Sequence, residues 1–257
     1  MIAISYLAGP LLAARDENDV YVLTRPERTA EQIDAAYAQM PPVKYEPPAG
    51  RWGRLPRTRS ILRKGADDLR VVMLGDSIVN DTSRSGWELV LGRHYPRVKI
   101  TKITCVRGST GCWWYKEPWR VKRYVLDHRP DLLVVGGISQ RDDVDSIRDV
   151  IEQVRRGSPC DVLLMTGAFG TVDPRDDRQW TFDVDPRGND YRARLRRLAD
   201  ETNCGFLDMT AHWGRYVRES GKQLDWFKRD PVHANERGEQ ILGRILAAHL
   251  APPVPRE

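Results

Sequence analysis

The sequence predicts an α/β protein, a three-layer α/β/α sandwich with a five-stranded parallel sheet at its centre. Three observations carry this prediction. From Leu69 onward, short apolar runs alternate with amphipathic stretches long enough for helices. The runs are apolar throughout rather than at every second residue, the pattern of strands covered on both faces. Glycine- or hydroxyl-rich segments follow three of the runs, at the strand ends where open α/β sheets gather their ligands.

Residues 1–50 differ from the rest. A strand-like run at 20–24 precedes a capped helix candidate beginning Thr29-Ala30-Glu31-Gln32, and the prolines of 41–50 make that stretch an extended linker. These residues are expected to be an N-terminal arm or the remnant of an upstream module. A short basic helix within 51–68 leads into the main domain, expected at 51–251, with 252–257 as a tail. Strands are expected at 71–74, 98–105, 132–135, 162–165 and 206–209. Helices are expected at 87–93, 119–128, 144–156, 190–202, 212–219 and 235–250. The strand ends then carry Gly75-Asp76-Ser77, Gly136-Gly137-Ile138-Ser139 and Thr166-Gly167-Ala168-Phe169-Gly170.

Composition excludes several classes. With 257 residues, 40% apolar and 30% charged, the chain can bury a sizeable core and is not a disordered polymer. The apolar stretch within 1–14 is shorter than the roughly 20 residues of a bilayer span. It lacks the basic start of a signal peptide, although Ala13-Ala14 could close a clipped one. The compartment is therefore open, with a periplasmic or secreted protein favoured over a cytoplasmic one. The net charge of +5 comes from scattered arginines interleaved with acids, so no nucleic-acid partner is expected. Cys105, Cys112, Cys160 and Cys204 have no metal-ligand spacing; Cys105 and Cys112 could bridge across a loop or stay unpaired.

Two motifs carry chemistry. Ser77 stands at the exit of the first main strand, and Asp230-Pro231-Val232-His233 precedes the last helix. A hydroxyl is a weak nucleophile at neutral pH and needs a base that a third group orients. Ser77, His233 and Asp230 can fill these roles. Separately, Gly-Asp-Ser can be a capped strand-to-helix turn and Asp-Pro a turn opener. Together, at opposite ends of one α/β domain, they point to acyl transfer. His212 and Asp208 are the rival base and acid. An oxyanion would take the Ser77 N–H, the backbone at Gly108, and a polar side chain after the third main strand.

These residues resemble the SGNH (GDSL-type) hydrolases over roughly 69–250, and the resemblance implies their flavodoxin-like fold. It makes Ser77 the nucleophile, Gly108 a backbone oxyanion donor, Asp230 the orienting acid and His233 the base. Asn235-Glu236-Arg237-Gly238 and the final helix are also similar to this family. The third block departs from it. Where the family carries Gly-x-Asn, with the Asn amide as an oxyanion donor, this chain has Gly136-Gly137-Ile138-Ser139-Gln140. Aligning Gly137 with the motif glycine puts Ser139 at the Asn position, with Gln140 as a substitute amide if the loop shifts by one; aligning Gly136 puts Ile138 there.

The expected function is a serine esterase that removes O-acetyl or other short acyl groups from carbohydrate, with no metal and no cofactor. Trp113 and Trp114 would bind sugar rings, with Tyr115, Trp119, Trp180 and Trp226 near the same rim or in the core. The alternatives are a catalytically weakened or inactive carbohydrate-binding protein of the same fold, and a flavodoxin-like phosphate binder using the hydroxyls of 77–85.

Overall fold

The computed structural model describes residues 14–15, 20–24, 27–65, 68–185, 188 and 190–252. Among the described residues, seven strands form one sheet: β1 (Ala14–Arg15), β2 (Tyr21–Leu23), β3 (Asp68–Gly75), β4 (Lys99–Val106), β5 (Leu132–Val135), β6 (Asp161–Met165) and β7 (Gly205–Leu207), in the order β1-β2-β4-β3-β5-β6-β7. The five strands from β3 onward are parallel to one another, as expected. The sheet is larger than the expected five strands, because β2 adds antiparallel to β4 with Tyr21 opposite Val106, and β1 adds to β2.

Alternating side chains explain why the strand sequences are apolar throughout. Val71 and Met73 of β3 enter one core with Leu132, Val134, Leu163 and Met165. Val72 and Leu74 enter the other with Leu133, Val135, Val162 and Leu164. Ten α-helices cover the two faces among the described residues: α1 (Ala30–Ala38), α2 (Pro56–Lys64), α3 (Ser77–Arg84), α4 (Trp87–Gly92), α5 (Cys112–Tyr115), α6 (Pro118–Tyr124), α7 (Val144–Gly157), α8 (Tyr191–Glu201), α9 (Met209–Ser220) and α10 (Glu236–Leu250). The first core lies under α1, α2, α3, α4, α9 and α10, the second under α5 to α8. None of these helices is long and apolar enough to cross a membrane.

The described part of 20–50 is packed on the domain. The Thr29 hydroxyl caps α1 in a reciprocal box with Gln32, and Ile33 is fully buried. Asp34 pairs with Arg93 and with Arg244 of α10. Residues 41–48 form neither helix nor strand, as the prolines require, yet Val43 and Tyr45 lie against the first core. The Tyr45 hydroxyl meets His249 Nδ1 at 2.7 Å. All four cysteines are buried and unpaired, which settles the open Cys105–Cys112 question in favour of thiols. Burial pushes the Cys105 thiol up to about 12, far from a reactive thiolate.

Candidate active site

The position of Ser77 follows from one tight turn. β3 ends at Gly75, where a Cβ would lie 2.6 Å from the Gly136 carbonyl oxygen. Asp76 then caps α3, its Oδ1 accepting the Ile78 N–H at 2.9 Å, and Ser77 is the first helical residue. The first turn leaves such an N–H without an intrahelical acceptor.

Some 150 residues downstream, the loop before α10 brings His233 to it. His233 Nε2 lies 2.8 Å from Ser77 Oγ, and Nδ1 lies 2.8 and 3.0 Å from the two carboxylate oxygens of Asp230. Asp230 Oδ1 also accepts the N–H groups of Val232 and His233, each at 2.8 Å. These bonds to the ionised carboxylate, the His233 backbone N–H foremost, lower its pKa to about 2. The loop is closed by a bridge between Lys228 and Ala234, by Arg229 N–H to the His233 carbonyl at 3.1 Å, and by the Asn235 side chain on the carbonyls of Trp226 and Lys228.

Sequence reasoning missed a second fastening of this loop. Asp81, four residues after Ser77 on α3 and fully buried, accepts Arg229 at 2.8 Å and the Ala234 N–H at 2.9 Å. Arg229 also donates to the Ala234 carbonyl. His233 and Ser77 are thus registered through one carboxylate a helical turn from Ser77. Burial raises the Asp81 pKa, against the pull of Arg229. Behind it, buried Glu239 of α10 pairs with Arg84 and with Arg28 from the N-terminal segment. The signal available was an acid at i+4 from Ser77, on the face of α3 that also carries Ile78.

The third-block loop hangs on Asp76. Its Oδ2 accepts the N–H groups of Ile138 at 2.8 Å and Ser139 at 2.7 Å. Gly137, with φ +101°, lets the loop close over it: a Cβ there would sit 2.5 Å from Asp76 Oδ1. Both backbone N–H groups are thereby used, leaving the half-buried Ser139 its hydroxyl as the group to offer. Gln140 corrects the substitute-amide expectation. Its side chain is buried, with Oε1 accepting the Cys112 N–H at 2.8 Å and Nε2 donating to the Gly136 carbonyl at 2.8 Å. The amide is therefore a strut between the second and third loops. Gly111 permits this contact, since a Cβ there would meet Gln140 Oε1 at 2.6 Å. Ile138 is exposed beside the site. Gly108 lies in the loop after β4, with open space where a Cβ would go. That loop is tied to the nucleophile turn by Arg107 N–H and the Tyr115 hydroxyl, both donating to the Gly75 carbonyl.

The aromatic residues divide. Trp113 Nε1 donates to the Ser139 carbonyl at 2.9 Å, which places this half-buried indole beside the third loop, and the Arg141 guanidinium covers its ring at 3.6 Å from the centroid. Trp114 packs against the second core and Tyr115, with Arg120 over its ring at 3.6 Å. Trp180 lies on Trp213 and Gly214, and Trp226 lies edge-on to Phe227 under Arg237. The rival acid and base are engaged elsewhere. His212 packs edge-to-face on Tyr45, while Asp208 caps α9 and pairs with Arg192. Among the described residues, no cluster of three His, Cys, Asp or Glu side chains could hold a metal ion.

The model of the GDSL-like Lipase/Acylhydrolase family matches residues 73–241, well over half of the chain. No protein with a curated description matches the chain. Among solved structures, a two-domain esterase (CEX) active on acetylated mannans superposes with TM-score 0.57 at 15% identity, covering 78% of this chain. The chain spans only 57% of that two-domain protein. Axe2, an acetylxylan esterase from Geobacillus stearothermophilus, gives TM-score 0.53 at 16% identity, over 73% of this chain and 96% of that one. A variant of the same enzyme gives 0.57 at 17%, over 75% and 100%. At these identities the likeness is one of fold.

Proposed function

The chain belongs to the GDSL-like Lipase/Acylhydrolase family, and we propose that it is a serine esterase removing O-acetyl or other short acyl groups from carbohydrate through an acyl-enzyme on Ser77. The observation that carries this is the unbroken chain from Ser77 Oγ to His233 Nε2 and from His233 Nδ1 to Asp230. With Asp230 ionised, the imidazole proton sits on Nδ1 and leaves Nε2 free to accept the Ser77 proton. Ser77 Oγ attacks the ester carbonyl as that proton moves to Nε2. The Ser77 N–H, the Gly108 N–H and the Ser139 hydroxyl stabilise the resulting oxyanion. The sugar alkoxide departs with the proton from Nε2. Water then repeats the sequence on the acyl-enzyme, giving the carboxylic acid and free Ser77.

Carbohydrate as the alcohol is supported by the solved structures of this fold named above, which are esterases of acetylated mannans and xylan. A second reading, a glycan-binding protein with little or no turnover, has one observation in its favour: no amide side chain is free in the third block, because Gln140 is held between two loops. The deciding experiment measures release from p-nitrophenyl acetate and a panel of acetylated polysaccharides, with the Ser77→Ala protein alongside. Turnover lost in Ser77→Ala, with labelling of Ser77 by a fluorophosphonate, supports the esterase. Glycan binding without turnover or labelling gives the second reading, and turnover retained in Ser77→Ala refutes the nucleophile.

A further inference from the structure

The indole beside the third-block loop is not bare. Arg141 lies over Trp113, and Trp113 is bonded to the carbonyl of Ser139, whose N–H is bonded to the Asp76 carboxylate adjoining Ser77. A continuous set of contacts therefore fixes this guanidinium relative to the reacting hydroxyl. Arg141 is exposed and, among the described residues, pairs with no carboxylate. The acids beside it are turned to other partners: Asp142 lies 4.0 Å from Arg194, and Asp143 caps α7 through Ser146.

Arg141 and Asp142, with left-handed φ of 54° and 56°, are the central residues of a tight turn that the Asp143 N–H closes on the Gln140 carbonyl at 3.0 Å. Stacking orients a guanidinium and leaves its edge of N–H donors to solvent, the geometry that takes a carboxylate in a bidentate pair. A neutral sugar seeking the same face of Trp113 meets that guanidinium instead.

We propose that Arg141, laid on Trp113, is a carboxylate-binding position that makes this protein select acylated glycans carrying uronate residues over neutral ones. The proposal rests on the esterase reading for its substrate, but its binding step stands apart from turnover. The test compares acetylated polygalacturonate oligomers with the same oligomers after chemical reduction of their carboxyl groups. Binding is measured by calorimetry on the Ser77→Ala protein, and acetate release on the native one. The uronate oligomer should bind about tenfold more tightly than its reduced form, the scale of one charge-assisted bidentate contact. Arg141→Gln should bring that ratio close to one, Arg141→Lys should keep part of it, and Arg63→Gln on α2 should leave it as it is. Equal binding of the two oligomers, or a preference that Arg141→Gln leaves intact, overturns the proposal. A preference lost in Arg141→Gln but accompanied by no acetate release from any ester supports the carboxylate position and refutes the esterase reading.

Discussion

Asp76 and Ser139 are joined by a 2.7 Å hydrogen bond from the Ser139 backbone N–H to Asp76 Oδ2. Through it, the residue preceding Ser77 sets the place of the third-block loop. One carboxylate thus caps the helix begun by Ser77 with Oδ1 and carries that loop with Oδ2.

Asp76→Asn should damage both duties. An amide offers one acceptor where the two oxygens accept three N–H groups, so a buried donor is left unmatched at a cost of about 2 kcal/mol. Thermal melting should fall by about 4–8 °C, and kcat on p-nitrophenyl acetate by more than KM changes. Gly137→Ala should give a similar phenotype, because its Cβ would collide with the same carboxylate and its φ is left-handed. The double variant should lose less than the sum of the two, which a cycle of melting temperatures will read.

Ser139 tests the oxyanion assignment. Its N–H is held by Asp76, so only the hydroxyl is available to a substrate. Ser139→Ala should lower kcat by about tenfold to a hundredfold with little change in KM, somewhat less than the loss of a well-placed amide donor. Ser139→Asn should retain more activity than Ser139→Ala. An alanine variant with native kcat would remove Ser139 from the site.

The Asp81–Arg229 pair should reveal itself through an asymmetry. Arg229→Met leaves a fully buried carboxylate without its cation, so it should destabilise the protein and slow Ser77 labelling by a fluorophosphonate. Asp81→Asn combined with Arg229→Met removes the stranded charge, and should melt above Arg229→Met alone. Labelling should stay slow in the double variant, since the loop bearing His233 remains unfastened. Rapid labelling in both would mean that the pair serves stability alone.

These couplings explain what the sequence could and could not convey. Strand positions such as 132–135 were legible because parallel strands buried on both faces must be apolar at every residue. Ser77, His233 and Asp230, which the structure joins by hydrogen bonds, stood out because their residue types and settings are few. The sheet edge was not: 20–24 reads as a strand, but nothing local says that Tyr21 will pair with Val106. Gln140 was misread because its partners, Cys112 N–H and the Gly136 carbonyl, are backbone groups that every residue possesses. Asp81 was passed over because an acid in an amphipathic helix is ordinarily solvated, and its partner Arg229 lies 148 positions away. Trp113 was expected to bind a sugar ring, and the cation covering it could not be foreseen from spacing.

Asp230 supplies the pH-dependent prediction. Its folded pKa of about 2 lies below the ordinary Asp value of roughly 3.9. A depressed carboxylate favours the folded state above its unfolded pKa, and that advantage is lost as pH falls through the folded value. Asp230→Asn keeps an oxygen for the Val232 and His233 N–H groups while deleting the charge, so it isolates this term. The melting temperature of the native protein should exceed that of Asp230→Asn from neutrality down to about pH 5, modestly because the carboxylate is exposed. The gap should narrow below about pH 4 and close near pH 2. Activity should show a far larger gap at neutral pH, on the order of 10⁴ in kcat, because an amide no longer holds the proton on His233 Nδ1. A melting gap that widens on acidification would contradict the depressed carboxylate and, with it, the electrostatic role given to Asp230.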